Sequence, residues 1–309
     1  MDPRTETLTT ADGLALPTRA WRPAGPAPGR AAVVLVHGLG EHIGRYDALA
    51  ERLAMEGYAV HGYDQRGHGR AEGPRAQVDR FERLVDDLGE VVARVRAAHP
   101  GRPIVLFGHS MGGVVALRAA QAGVVAPDAL VLSSPALDVS GGAPGWLRAL
   151  LSRLAGPFPD LPTRPVDVSA VSRDPAVVAA YRDDPAVFHG PVKARMATEL
   201  VRAGAAAIAE ARASAGAHES TDAPPVLIVH GRDDRIADPA ASVRLHEALA
   251  GRDATLELYD DGPHELFNDP LRERVLGDVL RWLDARLDGH PGDGPGYAGR
   301  SIRSTTNFR

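Results

Sequence analysis

Two hydrophobic periods alternate along the first half of the chain. Short apolar runs, such as Val33-Val34-Leu35-Val36 and Ile104-Val105-Leu106-Phe107, have the continuous character of strands buried on both faces. Between them lie stretches of helical period. Within 79–98, Phe81, Leu84, Val85, Leu88, Val91, Val92 and Val95 fall on one face. The pattern predicts strands over 31–36, 58–63, 103–107 and 129–133. It predicts helices over 47–56, ended by Gly57, over 79–98, and over 113–120. Segments 5–9 and 15–21, split by Asp12-Gly13, read as an antiparallel hairpin at one edge. Strand and helix in turn predict a mostly parallel sheet flanked by helices.

The alternation stops near residue 136. Residues 136–222 hold many prolines, several short helical patterns and no clear strand. Pro224-Pro225 then introduces a strand over 226–229, and another follows over 255–259. An insertion after the sixth strand, at the end where parallel strands place their loops, predicts a helical cap or lid. The expected organisation is a core of 1–135 and 223–288, a cap of 136–222, and a flexible, Gly- and Pro-spaced tail of 289–309. In the cap, Trp146, Leu147, Leu150, Leu151 and Leu154 share a helical face. That face either packs on the core or forms an apolar rim that meets a membrane surface or lines an acyl tunnel.

Candidate chemistry sits on this frame. Gly108-His109-Ser110-Met111-Gly112 lies between a predicted strand and a predicted helix, the strand–turn–helix context of a nucleophile elbow. A serine hydroxyl needs a base, and the base needs an orienting acid. Both are available later in the chain, each in a loop after a strand: Asp233 and Asp234 after 226–229, and His264 after 255–259. We assign Ser110 as nucleophile, His264 as general base and acid, and Asp234 as the orienting carboxylate, although composition alone does not separate Asp234 from Asp233. The oxyanion donors expected in such a site are the N–H of Met111 and an N–H from the loop after 31–36, here Leu39.

Composition narrows the classes. The 309 residues carry 44% hydrophobic residues and a net charge of −5, with no sustained basic block, which argues against a nucleic-acid partner. There is no cysteine, hence no disulfide framework, thiolate nucleophile or cysteine zinc site, as suits a reducing cytoplasm. The N-terminal residues carry acids and no apolar h-region, and no uncharged run approaches the ~20 residues of a membrane span. A soluble, cytoplasmic protein is expected, touching a membrane at most peripherally. His264-Glu265-Leu266-Phe267-Asn268 and His218-Glu219-Ser220-Thr221-Asp222 each lack the second His of a zinc protease, and Gly38-x-Gly40 lacks the third Gly of a dinucleotide fingerprint.

Three segments together resemble the monoacylglycerol lipase branch of the α/β-hydrolases: His37 to Tyr46 (HGLGEHIGRY), Tyr63 to Gly69 (YDQRGHG) and Gly108 to Gly112. Val226 to Ile236 and Leu258 to Glu265 extend the similarity, which runs from about Thr5 to Leu287. The resemblance implies an α/β-hydrolase fold and hydrolysis of monoacylglycerols to glycerol and fatty acid, without metal or cofactor. It places the triad on Ser110, Asp234 and His264, with Asp234 the aspartate that precedes Arg-Ile, and the oxyanion donors on Leu39 and Met111. It also puts Glu41 and Arg45 near the glycerol end of the pocket; the alternative for them is an internal ion pair that fixes the oxyanion loop. Lysophospholipase or broad carboxylesterase activity needs the same triad and a different cap. A peptidase relative would need an acidic subsite for the substrate amine, and a non-catalytic binding protein of this fold would often lack a triad member.

Overall fold

The computed structural model describes residues 3–23, 30–163, 165–214 and 223–287. Its strands are β1 (Arg4–Thr9), β2 (Ala15–Trp21), β3 (Ala32–Val36), β4 (Ala59–Tyr63), β5 (Ile104–His109), β6 (Ala129–Ser133), β7 (Val226–Gly231) and β8 (Ala254–Tyr259). They form one sheet in the order β1-β2-β4-β3-β5-β6-β7-β8. The β1–β2 hairpin is antiparallel, with Leu8 opposite Leu16, and β2 meets β4 antiparallel. From β4 to β8 every pairing is parallel.

The helices are α1 (Asp47–Met55), α2 (Glu82–Ala98), α3 (Met111–Gln121), α4 (Gly145–Leu154), α5 (Pro175–Asp183), α6 (Ala194–Ser214), α7 (Pro239–Ala248) and α8 (Arg272–Leu287). Strand period two divides the core between the two faces of the sheet. Ala32, Val34 and Val36 of β3 pack with α2, α3, α6 and α7, through Leu88, Val115, Leu200 and Leu245 among others. Val33 and Leu35 face α1 and α8, where Leu49, Leu53, Val279 and Leu283 are buried. Continuous apolar strands are thus required, because neither face of the central strands meets water.

Two helix starts differ from the sequence pattern. α2 begins at Glu82 rather than 79, and the Phe81 N–H just before it donates to Glu199 Oε2 on α6 at 2.9 Å. The predicted stripe is otherwise intact, and its seven residues are buried. α3 begins at Met111, directly after Ser110, whose carbonyl accepts from Gly113 and Val114. Gly57, at φ +90°, follows the end of α1, a left-handed position that glycine adopts without a Cβ penalty.

Between β6 and β7 the chain forms α4, α5 and α6. α6 packs on α3 and α7, and its Met196, Leu200, Ala203, Ala207 and Ala211 belong to the main core. The interval 136–222 therefore contains a helix of the core layer as well as the outlying pieces. α4 rests on α6, while Val171, Tyr181 and Val187 around α5 make a small cluster of their own. The α4 stripe is split: Leu147, Leu151 and Leu154 are half-buried, whereas Trp146 and Leu150 are exposed. The tail 289–309 and residues 215–222 lie outside the described residues.

The core predicts a sharp contrast in truncation cost. Leu88→Ala, fully buried under α2, should cost ~2–5 kcal/mol in urea unfolding. Met55→Ala, at an exposed position, should change stability by no more than about 0.5 kcal/mol. Equal costs would show that α2 does not anchor that face of the sheet.

Candidate active site

Strand β5 runs straight into Ser110, which sits at φ +53°, ψ −120°. A serine holds that strained conformation only where its surroundings enforce it. Here they do so by close backbone approach. A Cβ on Gly108 would overlap the Gly112 carbonyl, and a Cβ on Gly112 would overlap the carbonyl of Val36 at the end of β3. The Gly-x-Ser-x-Gly spacing is therefore steric. Hydrogen bonds from Ser110 N to Ser133 O (2.9 Å) and from Ala136 N to Ser110 O (3.1 Å) tie the apex to the end of β6.

At this apex the Ser110 Oγ lies 3.0 Å from His264 Nε2, and His264 Nδ1 lies 2.6 Å from Asp234 Oδ2. An ionised carboxylate only accepts, so Nδ1 carries the hydrogen and Nε2 presents its lone pair to the serine hydroxyl. That is the tautomer a general base requires. Burial by itself would depress the His264 pKa, but the Asp234 charge and hydrogen bond outweigh it and hold the imidazole above its ordinary value. For Asp234, burial pulls upward, yet His264 and His230 together keep it far below the usual carboxylate range. Ile236 N and Ala237 N donate to its Oδ1 at 2.8 and 3.0 Å. Asp233, by contrast, is exposed.

The loop after β3 abuts the serine. A Cβ built on Gly38 would stand 3.2 Å from Ser110 Cβ and 2.8 Å from Glu41 Oε1. Leu39, the next residue, and Met111, the first of α3, are thus both carried by backbone that borders the nucleophile. The loop is braced from several sides. His37 Nε2 accepts from Gln65 N at 2.9 Å, and Nδ1 donates to Gly38 O at 2.8 Å. Glu41 Oε1 accepts from Gly38 N (2.6 Å) and from Tyr46 Oη (2.7 Å). Asp64 takes the N–H of Ile43 at 2.9 Å.

Glu41 and Arg45 stand inside this brace. Arg45 Nη1 donates to Glu41 Oε2 at 2.6 Å, and its fork grips both oxygens of Glu265 at 2.7 Å. All three side chains are at least nine-tenths buried. Burial opposes charge on Glu41, but Arg45, His109, His37 and the Tyr46 hydrogen bond together outweigh it and hold the carboxyl below its ordinary pKa. The ring of Tyr181 from α5 covers the guanidinium, 4.4 Å from centroid to carbon. Two further contacts join the same loop to the insertion: Phe188 N donates to Gly40 O at 2.6 Å, and His42 Nε2 lies 2.9 Å from Asp184 Oδ2.

Comparison with known proteins shows the family. The sequence family described as "Serine aminopeptidase, S33" matches residues 27–271, most of the chain. The chain belongs to that family. A "Monoacylglycerol lipase" of Mycolicibacterium smegmatis is 38% identical over 84% of this chain and 89% of its own length. A "Monoglyceride lipase" of Rattus norvegicus is 31% identical over 91% of this chain and 90% of its own. Among solved structures, the Paleococcus ferrophilus monoacylglycerol lipase superposes with TM-score 0.73 at 30% identity, covering 93% of this chain and 100% of that one. The α/β-hydrolase fold is thereby established for this S33-family chain.

Several residues that this S33-family site uses escaped the sequence reading. Glu265 pairs with Arg45 across 220 positions, a contact no local pattern shows. His230 and Ser242 stand behind Asp234, and Gln65 and Tyr46 brace the loop after β3. Only His230 left a trace, since His and Asp four apart flank the turn after β7. His109 packs its ring 4.8 Å from that of His264 and bonds Ser133 Oγ at 3.2 Å; burial depresses its pKa to about 3. Among the described residues, no group of three or more His, Asp or Glu side chains is placed to hold a metal.

Two expectations follow. Because only neutral imidazole acts as base and the His264 pKa is raised, kcat/KM should rise with pH through a midpoint above 6.5. A flat profile between pH 5 and 8 would remove His264 from that role. Arg45→Met should leave Glu41 and Glu265 buried without their cation, costing ~3–5 kcal/mol in thermal or urea unfolding, with kcat falling more than KM rises.

Proposed function

We propose that this protein hydrolyses monoacylglycerols to glycerol and a free fatty acid through an acyl-enzyme on Ser110. The observation that carries the reading is the continuous hydrogen-bonded chain from Ser110 through His264 to Asp234 at the end of β5. Relatives named as monoacylglycerol and monoglyceride lipases, matching nearly the whole chain, supply the substrate class.

In this reading Ser110 Oγ attacks the ester carbonyl while His264 Nε2 takes its proton. The imidazolium that forms is held by Asp234. The carbonyl oxygen gains negative charge and is met by the N–H groups of Leu39 and Met111, each such donor being worth roughly 10²–10³ in rate. His264 then returns the proton to the departing glycerol oxygen. Water repeats the sequence on the acyl-enzyme and releases the fatty acid. No step calls for a metal or cofactor.

The exposed Trp146, Leu150, Phe158 and Leu161 make the apolar surface through which the insertion meets a membrane peripherally. Among the described residues no helix is long and apolar enough to cross one. Glu41 and Arg45 serve primarily to hold the oxyanion loop, since their polar atoms are engaged with each other, Gly38, Tyr46 and Glu265. This bears on the peptidase alternative implied by the family's description. A substrate amine needs a free carboxylate, and both buried acids of this network are matched to Arg45.

Fatty-acid release should be measured on 1-monoacylglycerols of several chain lengths, diacylglycerol, lysophosphatidylcholine, a short p-nitrophenyl ester and an aminoacyl amide. Monoacylglycerol should be preferred, and Ser110→Ala should lose about 10⁶-fold in kcat. Activity confined to lysophosphatidylcholine or the short ester would replace the proposal with lysophospholipase or carboxylesterase. Asp234→Asn should lose about 10⁴-fold through a wrongly oriented imidazole, and Asp233→Asn no more than a few-fold. A reversed order would move the acid to Asp233.

A further inference from the structure

Behind the candidate acid lies a second imidazole that the reaction as written does not use. His230, on β7, is fully buried. Its Nε2 lies 3.0 Å from Asp234 Oδ2, the same oxygen that accepts from His264. Its Nδ1 lies 2.7 Å from Ser242 Oγ on α7. The carboxylate cannot donate, so His230 Nε2 must carry a hydrogen. Nδ1 then accepts, and the Ser242 hydroxyl is its donor. Asp234 thereby fixes the tautomer, and the fully buried Ser242 hydroxyl turns to donate to Nδ1.

The plane of the Asp234 carboxylate does not depend on His230, because the N–H groups of Ile236 and Ala237 already hold Oδ1. Oδ2 is different. Its charge is shared between two imidazole donors, and one of them is the base of the reaction. Every hydrogen bond that Oδ2 accepts from elsewhere weakens its pull on the His264 proton. The other groups around His264 are Ser110, His109 in ring contact, and the charges of Glu265 and Glu41; none of them competes for Oδ2.

We propose that His230 is a positioning residue that tempers the Asp234–His264 pair: its Nε2–H takes part of the Oδ2 charge, so the imidazolium formed during turnover is held firmly but still gives its proton to the leaving group. Ser242 acts through His230: by donating to Nδ1 its hydroxyl polarises the ring and strengthens the Nε2–H as a donor to Oδ2. The inference rests on the assignment of Ser110, His264 and Asp234 made above.

The test is the pH profile of kcat/KM for monoacylglycerol hydrolysis, with folding checked by circular dichroism. In His230→Leu, Asp234 should pair harder with His264. The acid limb should move to higher pH by about 0.5–1 unit, a three- to tenfold change in acid constant. Plateau kcat should fall several-fold while KM stays within twofold. His230→Gln can donate to Asp234 and accept from Ser242, so the limb should return toward the wild-type position. Ser242→Ala, a smaller change that keeps the core filled, should shift the limb in the same direction by less.

A folded His230→Leu protein whose limb coincides with wild type would overturn the proposal and leave His230 a packing residue. Should His230→Leu fail to fold, Ser242→Ala decides: a shifted limb supports the proposal, an unmoved one refutes it. Failure of the underlying triad assignment has a separate signature, since Ser110→Ala would then retain turnover.

Discussion

The contact on which the site depends is the close approach of two backbones, Gly112 at the start of α3 against the Val36 carbonyl at the end of β3. It forces the β5-to-α3 turn to be tight, and the tight turn puts Ser110 into a backbone conformation it would otherwise avoid. It also fixes where the loop after β3 must begin. Gly38 and Ser110 are neighbours because their strands are adjacent in the sheet, with Val36 paired to Gly108. The nucleophile and the loop expected to bind the oxyanion are thus set by one element of sheet geometry. The imidazole is brought to them by β8 and the carboxylate by β7, the strands at the far edge.

Around this contact the protein buries an unusual density of charge. Glu41, Arg45 and Glu265 form a group with two carboxylates and one guanidinium, and such a group is tolerable only with good hydrogen bonding. Each carboxylate oxygen has a donor, from Gly38 N, Tyr46 Oη and Arg45 on Glu41 and from Arg45 and Asn268 Nδ2 on Glu265, and the Tyr181 ring lies over Arg45. The network links three segments far apart in sequence, namely the loop after β3, the turn that carries His264, and α5. It would make the loop rigid, as electrostatic stabilisation of a transition state requires of its donors.

Much of this was legible in the sequence. The α2 stripe, the edge hairpin and the parallel strands followed from periodicity, because burial on one face or two leaves a local pattern. The elbow and the order serine, acid, histidine were visible because steric necessity fixes glycine at two positions and chain order is a property of the fold. What escaped was relational. Nothing local shows that Arg45 turns to Glu265 rather than to a substrate, or that His230 points into the core toward Asp234 rather than away from it. Helix α6 lies within the insertion by sequence, so periodicity alone does not separate it from the cap pieces. Its small buried residues, Ala203, Ala207 and Ala211, reveal their place only when α3 is seen against them.

The contacts between the oxyanion loop and the insertion bear on how such a protein can be rebuilt. Phe188 N on Gly40 O, Asp184 on His42 and Tyr181 on Arg45 all come from one short stretch of the inserted segment. That stretch is a support of the core, although it belongs by sequence to the segment inserted between β6 and β7. A chimaera made by exchanging everything between β6 and β7 would carry these supports away with the lid. The natural seam for grafting a different surface lies further out, around α4, which rests on α6, turns Trp146 and Leu150 outward and leaves the loop beneath untouched.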